Sequence, residues 1–213
     1  MKELIKRISL WMGRLYAIVF PPSLCEALKS VSSYLYTGYH SHRFQKWGKG
    51  SVMVWGVRII HPQDIVVGED TEFLREVSLT ANNICHSDQP VIKIGNHCSI
   101  GAKSHITAIN GIEIGHHLLT GDNVLITDNA HGFSGCEMLN IPPTDRPLVS
   151  KGRVKIGDYV WLCDKVTILP GVTIGDNVIV GANSVVTSDI PDNCVVAGIP
   201  AKVVKRMENQ EKC

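Results

Sequence analysis

Nine histidines stand in the 213-residue sequence, and one of them is placed unusually. His131 closes the segment ITDNAH and opens a long irregular stretch, GFSGCEMLNIPPTDRPLVSKGR. An imidazole titrates near neutral pH, so at the mouth of a loop-walled cleft it can take a proton from a reacting hydroxyl as a general base. Asp128, three residues earlier, has two readings: a carboxylate that orients His131, or, with Asn129, part of a corner turn. The seven cysteines contain no CxxC pair and no nucleophile motif. They read as reduced thiols of a cytosolic protein rather than a disulfide framework or zinc knuckle. The pair His40-x-His42 has no third ligand nearby in sequence, and no catalytic metal is expected.

Composition says what must position these groups. Lys plus Arg is 21 against 20 Asp plus Glu, a net charge of +1, which argues against a nucleic-acid binder needing a basic face. Ile, Leu and Val make up 60 residues, whereas the four Trp, five Tyr and four Phe are few, and 19 glycines punctuate the chain. The interior is therefore built of branched aliphatics on a geometry that turns often.

That geometry is a repeat of six. From residue 156 the chain reads IGDYVW, LCDKVT, ILPGVT, IGDNVI, VGANSV, VTSDIP. Position one is Ile156, Leu162, Ile168, Ile174, Val180 and Val186, always aliphatic; position five is apolar or small throughout. Upstream the same register holds Val67, Phe73 and Leu79, then Ile94, Ile100 and Ile106, then Ile114, Thr120 and Ile126. It is interrupted near Asn82–Pro90, slips by two residues between Ile106 and Ile114, and breaks off between Ala130 and Lys155. A six-residue period fits a short strand plus a corner, three per turn of a triangular solenoid. Position one fills the prism, and the small residue after it (Gly95, Gly101, Gly115, Gly121, Gly157, Gly175, Gly181) is expected at the tight turn. Five coils at strand spacing make a column of about 24 Å.

The pattern, most specifically WLCDKVTILPGVTIGDNVIVGANSVVTSDIPDNCVVAGIPAKVVK, resembles the hexapeptide-repeat acyltransferases over about residues 60–206. Among them it is most like the sugar O-acetyltransferases of the maltose, galactoside and capsule or colanic-acid type. The resemblance implies an all-β solenoid, a left-handed parallel β-helix, and an acetyl-CoA-dependent transfer to a saccharide hydroxyl with His131 as base. By motif, it puts acetyl-CoA against Asp164, Ala182 and Thr187, its phosphates near Lys202 and Lys205 with Arg206 as neighbour, and Trp161 beside its pantetheine arm. Ser188 stands where the family often has Lys, and Cys163 and Asp164 replace the commoner Gly and Ser or Ala. The γ-class carbonic anhydrases resemble the same solenoid, but no histidine stands at their H-x4-H spacing from His116 or His117. The family's trimers imply a homotrimer with the site between subunits, the excursion 132–153 walling the acceptor pocket. Asp145 and Arg146 are expected either to touch the sugar or to brace that loop. Two rivals stand beside this reading. One is an N-acetyltransferase on a nucleotide amino sugar, disfavoured by the absence of a preceding βα segment. The other is a non-catalytic scaffold, which would need neither His131 nor the GIPAK tail.

Residues 1–59 are expected to form an N-terminal helical segment, with 60–206 the transferase domain and 207–213 a tail. Arg14 breaks the first apolar run and no small-x-small site follows, so this run reads as neither signal peptide nor membrane span. Leu4, Ile5, Ile8, Trp11, Met12, Leu15, Ile18 and Val19 instead mark an amphipathic helix, with Lys2, Lys6, Arg7 and Arg14 elsewhere on its surface. It would pack on its own domain or a neighbouring subunit, or lie on the inner face of an anionic membrane. Pro21 and Pro22 stop it, and Ser23-x-x-Glu26 is a capping box for a second helix ending near Gly38.

Overall fold

The computed structural model describes residues 1–84, 89–133 and 135–207. The tip of the first interruption and all but the first residue of the expected tail lie outside the described residues. Helix α1 (Lys2–Val19) and helix α2 (Pro22–Ser41) are followed by a triangular column of three parallel sheets. The first side stacks Lys46–Trp47, Ile65–Val67, Ile92–Ile94, Ile112–Ile114, Val154–Ile156 and Thr173–Ile174. The second side begins at Val52–Met53 and the third at Arg58–Ile60, each adding one short strand per coil. The solenoid is a left-handed β-helix.

Register explains the aliphatic composition. Position-one residues sit directly above one another: Trp47, Val67, Ile94, Ile114, Ile156 and Ile174 on one side, and Ile59, Leu79, Ile106, Ile126, Ile168 and Val186 on another. Stacked inward at a strand spacing of about 4.8 Å, such rows leave space for one branched side chain per side per coil and for few large aromatics. Phe73, Leu79, Ile100, Leu162 and Ile168 are completely buried, as are Val77, Val166, Val178 and Ser184 at position five.

Two expectations need correction. The column has six complete coils rather than about five, because Lys46–Trp47, Val52–Met53 and Arg58–Ile60 make a coil inside the segment expected to be helical. Trp47, Met53 and Ile59 keep the six-residue spacing, but an aromatic and a methionine stand where most later coils carry aliphatics. Second, the tight turn is not at the position-two glycines. The left-handed backbone falls at position four, at Asp70, His97, His117, Asn123, Asn177 and Asn183, and at Gly50, Gly56 and Gly171. Position two is glycine because the coils touch there. A Cβ on Gly95 would collide with the Gly115 carbonyl of the next coil, and one on Gly115 would meet the Gly157 backbone at 2.8 Å.

Position three ties the coils together. The Asp122 carboxylate accepts the Ala102 N–H at 2.8 Å and the Asp164 carboxylate the Asp122 N–H at 2.8 Å. At the neighbouring corner Asp158, Asp176 and Asp192 each accept a backbone N–H from the coil below, at 2.6, 2.8 and 2.8 Å. A charged acceptor strengthens each bond.

Both ends of the column are closed. Helix α2 lies under the first coil, where the Thr37 hydroxyl accepts the Met53 N–H at 2.8 Å and the Tyr36 hydroxyl donates to the Val57 carbonyl at 2.6 Å. The exposed lower edge is thereby partly satisfied. This helix starts at Pro22 with no side-chain cap, so the Ser23–Glu26 box is not used, and it runs to Ser41 rather than Gly38. At the other end Ala201–Arg206 folds back antiparallel on Cys194–Gly198.

Candidate active site

The corners from first to second side and from second to third recur at one fixed interval. Only the return from third side to first varies: Ile60 to Ile65, Ala81 to Ile92, Ala108 to Ile112 and Thr127 to Val154. Both interruptions of the repeat therefore leave the column along one edge.

His131 belongs to the longer of them. Ala130–His131 pairs antiparallel with Leu148–Val149, with Ala130 opposite Val149 and His131 opposite Leu148, and the Gly132 N–H donates to the Pro147 carbonyl at 2.9 Å. Directly opposed residues of an antiparallel pair share a face, and neighbours along a strand alternate. The hairpin accordingly has two faces and stands between two hollows. Ala130 and Val149 face a cavity of about 590 Å³ along the later coils, whose walls include Phe133, Lys151, Leu169, Pro170 and Thr187. Leu148, on the other face, lines a cleft of about 680 Å³ with His61, Gln63, Asp64, Asn82 and Asn83. His131 shares the face of Leu148 and is solvent-exposed. The upper cavity is mostly apolar, with the Thr127 and Thr187 hydroxyls, the Asn129 amide and the Lys151 ammonium in its lining; the lower cleft carries amides, a carboxylate and an imidazole beside Ile84 and Leu148.

Asp128 takes the turn reading. Its fully buried carboxylate accepts the N–H groups of Ile109 (2.9 Å), Asn110 (2.8 Å) and Gly111 (2.6 Å), and the Asn129 amide at 3.1 Å. These bonds hold the two extra residues of the slip after Ile106, pairing backbone amides of that third-side return that would otherwise be unpaired. The expected orientation of His131 by Asp128 is not what those contacts serve. Arg146 braces the loop, its Nε donating to the Ile141 carbonyl at 2.9 Å, and Asp145 accepts a hydrogen bond from the Thr144 hydroxyl.

The residues expected to hold the acyl donor do not converge on one spot. Thr187 lines the upper cavity. Asp164 and Ala182 follow each other up the opposite corner of the third side, where the Asn183 N–H bonds to the Asp164 carbonyl at 2.9 Å. One Asp164 oxygen is already engaged as the rung to Asp122. Burial, and then the charge of Asp164, push the neighbouring Cys163 thiol up from its ordinary pKa. Trp161 is on the second side, stacked between Leu119 and Ile179 and half exposed. Lys202 and Lys205 are exposed on the closing hairpin opposite Ala197 and Val195.

Sequence reasoning missed the lower cleft. His61 donates through Nδ1 to the Ala81 carbonyl (2.9 Å), and the Asn83 amide donates to Asp64 at 2.9 Å. The available signal was the break in register, since all these residues stand at third-to-first returns. Among the described residues no three His, Cys, Asp or Glu side chains are grouped to hold a metal.

A rigid column with a histidine-bearing hairpin between two hollows is the architecture of an enzyme that moves a group between two bound substrates. Family models named bacterial transferase hexapeptide (six repeats) and hexapeptide repeat of succinyl-transferase match residues 153–188 and 91–127. The putative lipopolysaccharide biosynthesis O-acetyl transferase WbbJ of Escherichia coli is 43% identical over 57% of this chain and 64% of its own length. The galactoside O-acetyltransferase of Escherichia coli is 30% identical over 77% of this chain and 80% of its own. A maltose O-acetyltransferase from Clostridium difficile superposes with a TM-score of 0.57 at 27% identity, covering 90% of this chain and 89% of that one. A variant of AntD, an N-acyltransferase from Bacillus cereus solved with dTDP and coenzyme A, superposes at 0.68 with 21% identity, covering 84% and 92%. The chain belongs to the hexapeptide-repeat acyltransferase family.

Proposed function

We propose that the protein is an acetyl-CoA-dependent O-acetyltransferase that acetylates a saccharide hydroxyl by direct transfer. The observation that carries this reading is the hairpin with one face on each hollow. The upper cavity suits the pantetheine arm of acetyl-CoA: Leu169, Pro170 and Val149 offer apolar contact and Thr187 a hydrogen-bonding group. Lys202, Lys205 and Arg206 provide positive charge on the hairpin that closes that end of the column, and Asp164, Ala182 and Trp161 are the other donor contacts proposed. The lower cleft suits a polyhydroxylated acceptor, because Gln63, Asp64, Asn82 and Asn83 supply both donors and acceptors. Support for oxygen rather than nitrogen as acceptor comes from the O-acetyltransferase names of the relatives. The assembly proposed is a homotrimer in which a neighbour closes the open hollows, working in the cytoplasm, the compartment that suits free thiols.

In this mechanism the imidazole of His131 takes the proton of the acceptor hydroxyl as its oxygen attacks the thioester carbonyl carbon. The tetrahedral adduct collapses, the carbon–sulfur bond breaks, and the departing thiolate recovers the proton from His131. The products are an O-acetyl ester and free CoA, with no enzyme-bound intermediate. A general base of this kind contributes about 10²–10⁴-fold. Free-thiol release from acetyl-CoA on mixing with a panel of sugars is the test. His131→Ala is expected to lose activity by that factor with an unchanged melting temperature, because the side chain is exposed. Full activity in that variant refutes the assignment of the base, and an alkali-stable product refutes O-transfer.

A further inference from the structure

No single helix among the described residues is long and apolar enough to cross a membrane, although α1 and α2, bent by 62°, pass by length and composition together. Helix α2 is committed to the base of the column through Tyr36 and Thr37, so the pair is not free to insert as a span. Helix α1 buries none of its residues, which removes the expectation that it packs on its own domain. At 3.6 residues per turn, Leu4, Ile8, Trp11, Met12, Leu15 and Val19 fall in an arc of about 100°. Trp11 is 62% exposed. Lys2, Lys6, Arg7 and Arg14 lie outside that arc, with Glu3 the only acid. Helix α2 repeats the arrangement: Leu24, Leu28, Val31 and Leu35 form one stripe on the side away from Ser33 and Thr37, and Leu35 is 70% exposed. The base of the column thus carries two uncovered apolar faces, and the cations of α1 border one of them in a protein whose net charge is only +1.

We propose that this base docks on an anionic lipid bilayer, with α1 lying in the headgroup plane and the outer stripe of α2 beside it. The apolar arc supplies burial, and the cations select the sign of the surface. A second copy of this chain covering the faces would bury apolar area equally well, but would set four cations beside their counterparts with Glu3, already within 4.0 Å of Arg7, the one acid of α1 to meet them. A bilayer rich in phosphatidylglycerol answers both features.

The test is flotation of the full-length protein with vesicles of phosphatidylcholine alone or with about one-third phosphatidylglycerol, a fraction chosen to give a strongly negative surface. Flotation with the anionic vesicles only, weakened by salt, is expected. Replacing Arg7 or Arg14 by Gln should weaken it about fivefold each. Trp11→Glu should weaken it at least about tenfold, with melting temperature and mass in solution unchanged, since Trp11 is exposed on a helix that buries none of its residues. Three results overturn the proposal: no flotation with anionic vesicles, equal flotation with neutral ones, or a Trp11→Glu protein of lower mass, which would make α1 a subunit contact. None of these readouts depends on acetyl transfer, so the proposal stands or falls apart from the assignment of activity.

Discussion

Replacing Asp128 with asparagine separates a turn-bracing carboxylate from a catalytic one. One Asp128 oxygen accepts from Ile109 and Asn129, the other from Asn110 and Gly111. Asparagine keeps one oxygen and puts an amino group where the other stood, so either rotamer loses one acceptor and the two hydrogen bonds it took, and faces two donors with a donor. Hydrogen bonds to a charged acceptor contribute about 1.5–3 kcal/mol each, so the loss is at least about 3 kcal/mol. For a chain of this size that lowers Tm by about 6–12 °C. Thermal unfolding followed by circular dichroism reads the shift, and thiol release assayed well below Tm reads the chemistry. The turn reading requires a large drop in Tm with kcat of the wild-type order and an unchanged pH profile. An unchanged Tm with a hundredfold lower kcat and a displaced pH profile would show that the carboxylate serves His131, and the reasoning would be wrong.

Glycine substitutions should divide by what surrounds them. Gly95→Ala drives a methyl into the Gly115 carbonyl and is expected to destabilise the column by more than about 2 kcal/mol, whereas Gly38→Ala, with open space around it in α2, should stabilise by about 0.8 kcal/mol; denaturant titration distinguishes the two. Cys163, whose pKa is raised by burial and then by Asp164, carries less thiolate at neutral pH than a free cysteine. Its alkylation by iodoacetamide should therefore be slow at pH 7 and reach half its maximal rate at a more alkaline pH than glutathione does.

The sequence carried the fold in a legible form wherever one side chain per hexad had to fill the prism. Ile156 through Val186 announce the later coils because branched aliphatics fill their stacked inward rows without a break. Trp47, Met53 and Ile59 keep the same spacing, yet the first coil meets α2 and the residues Tyr36 and Phe44 instead of another coil, so larger side chains fit and the signal fades. The place of His131 outside the column was legible from the break in the repeat. Asp128 was not, because a carboxylate three residues from a histidine looks the same whether it faces the imidazole or three backbone amides across the corner. The lower cleft joins residues from three returns distant in sequence, and composition says nothing about which returns meet.

Every irregular return leaves the column along one edge, and this separates the inheritance of the scaffold from that of its chemistry. In the upper coils the other two corners are tied by carboxylate rungs, and along the column most of their second positions are glycines that admit no side chain. The third has rungs of its own at Asp128 and Asp189, yet its returns range from roughly three linking residues to roughly two dozen, an extension that costs only about 2 kcal/mol of loop-closure entropy. Loops at that edge can be lengthened, exchanged or recombined while the aliphatic interior stays as it was. New acceptor preferences can therefore arise by replacing one contiguous segment, a short mutational path that a site assembled from core side chains would not offer.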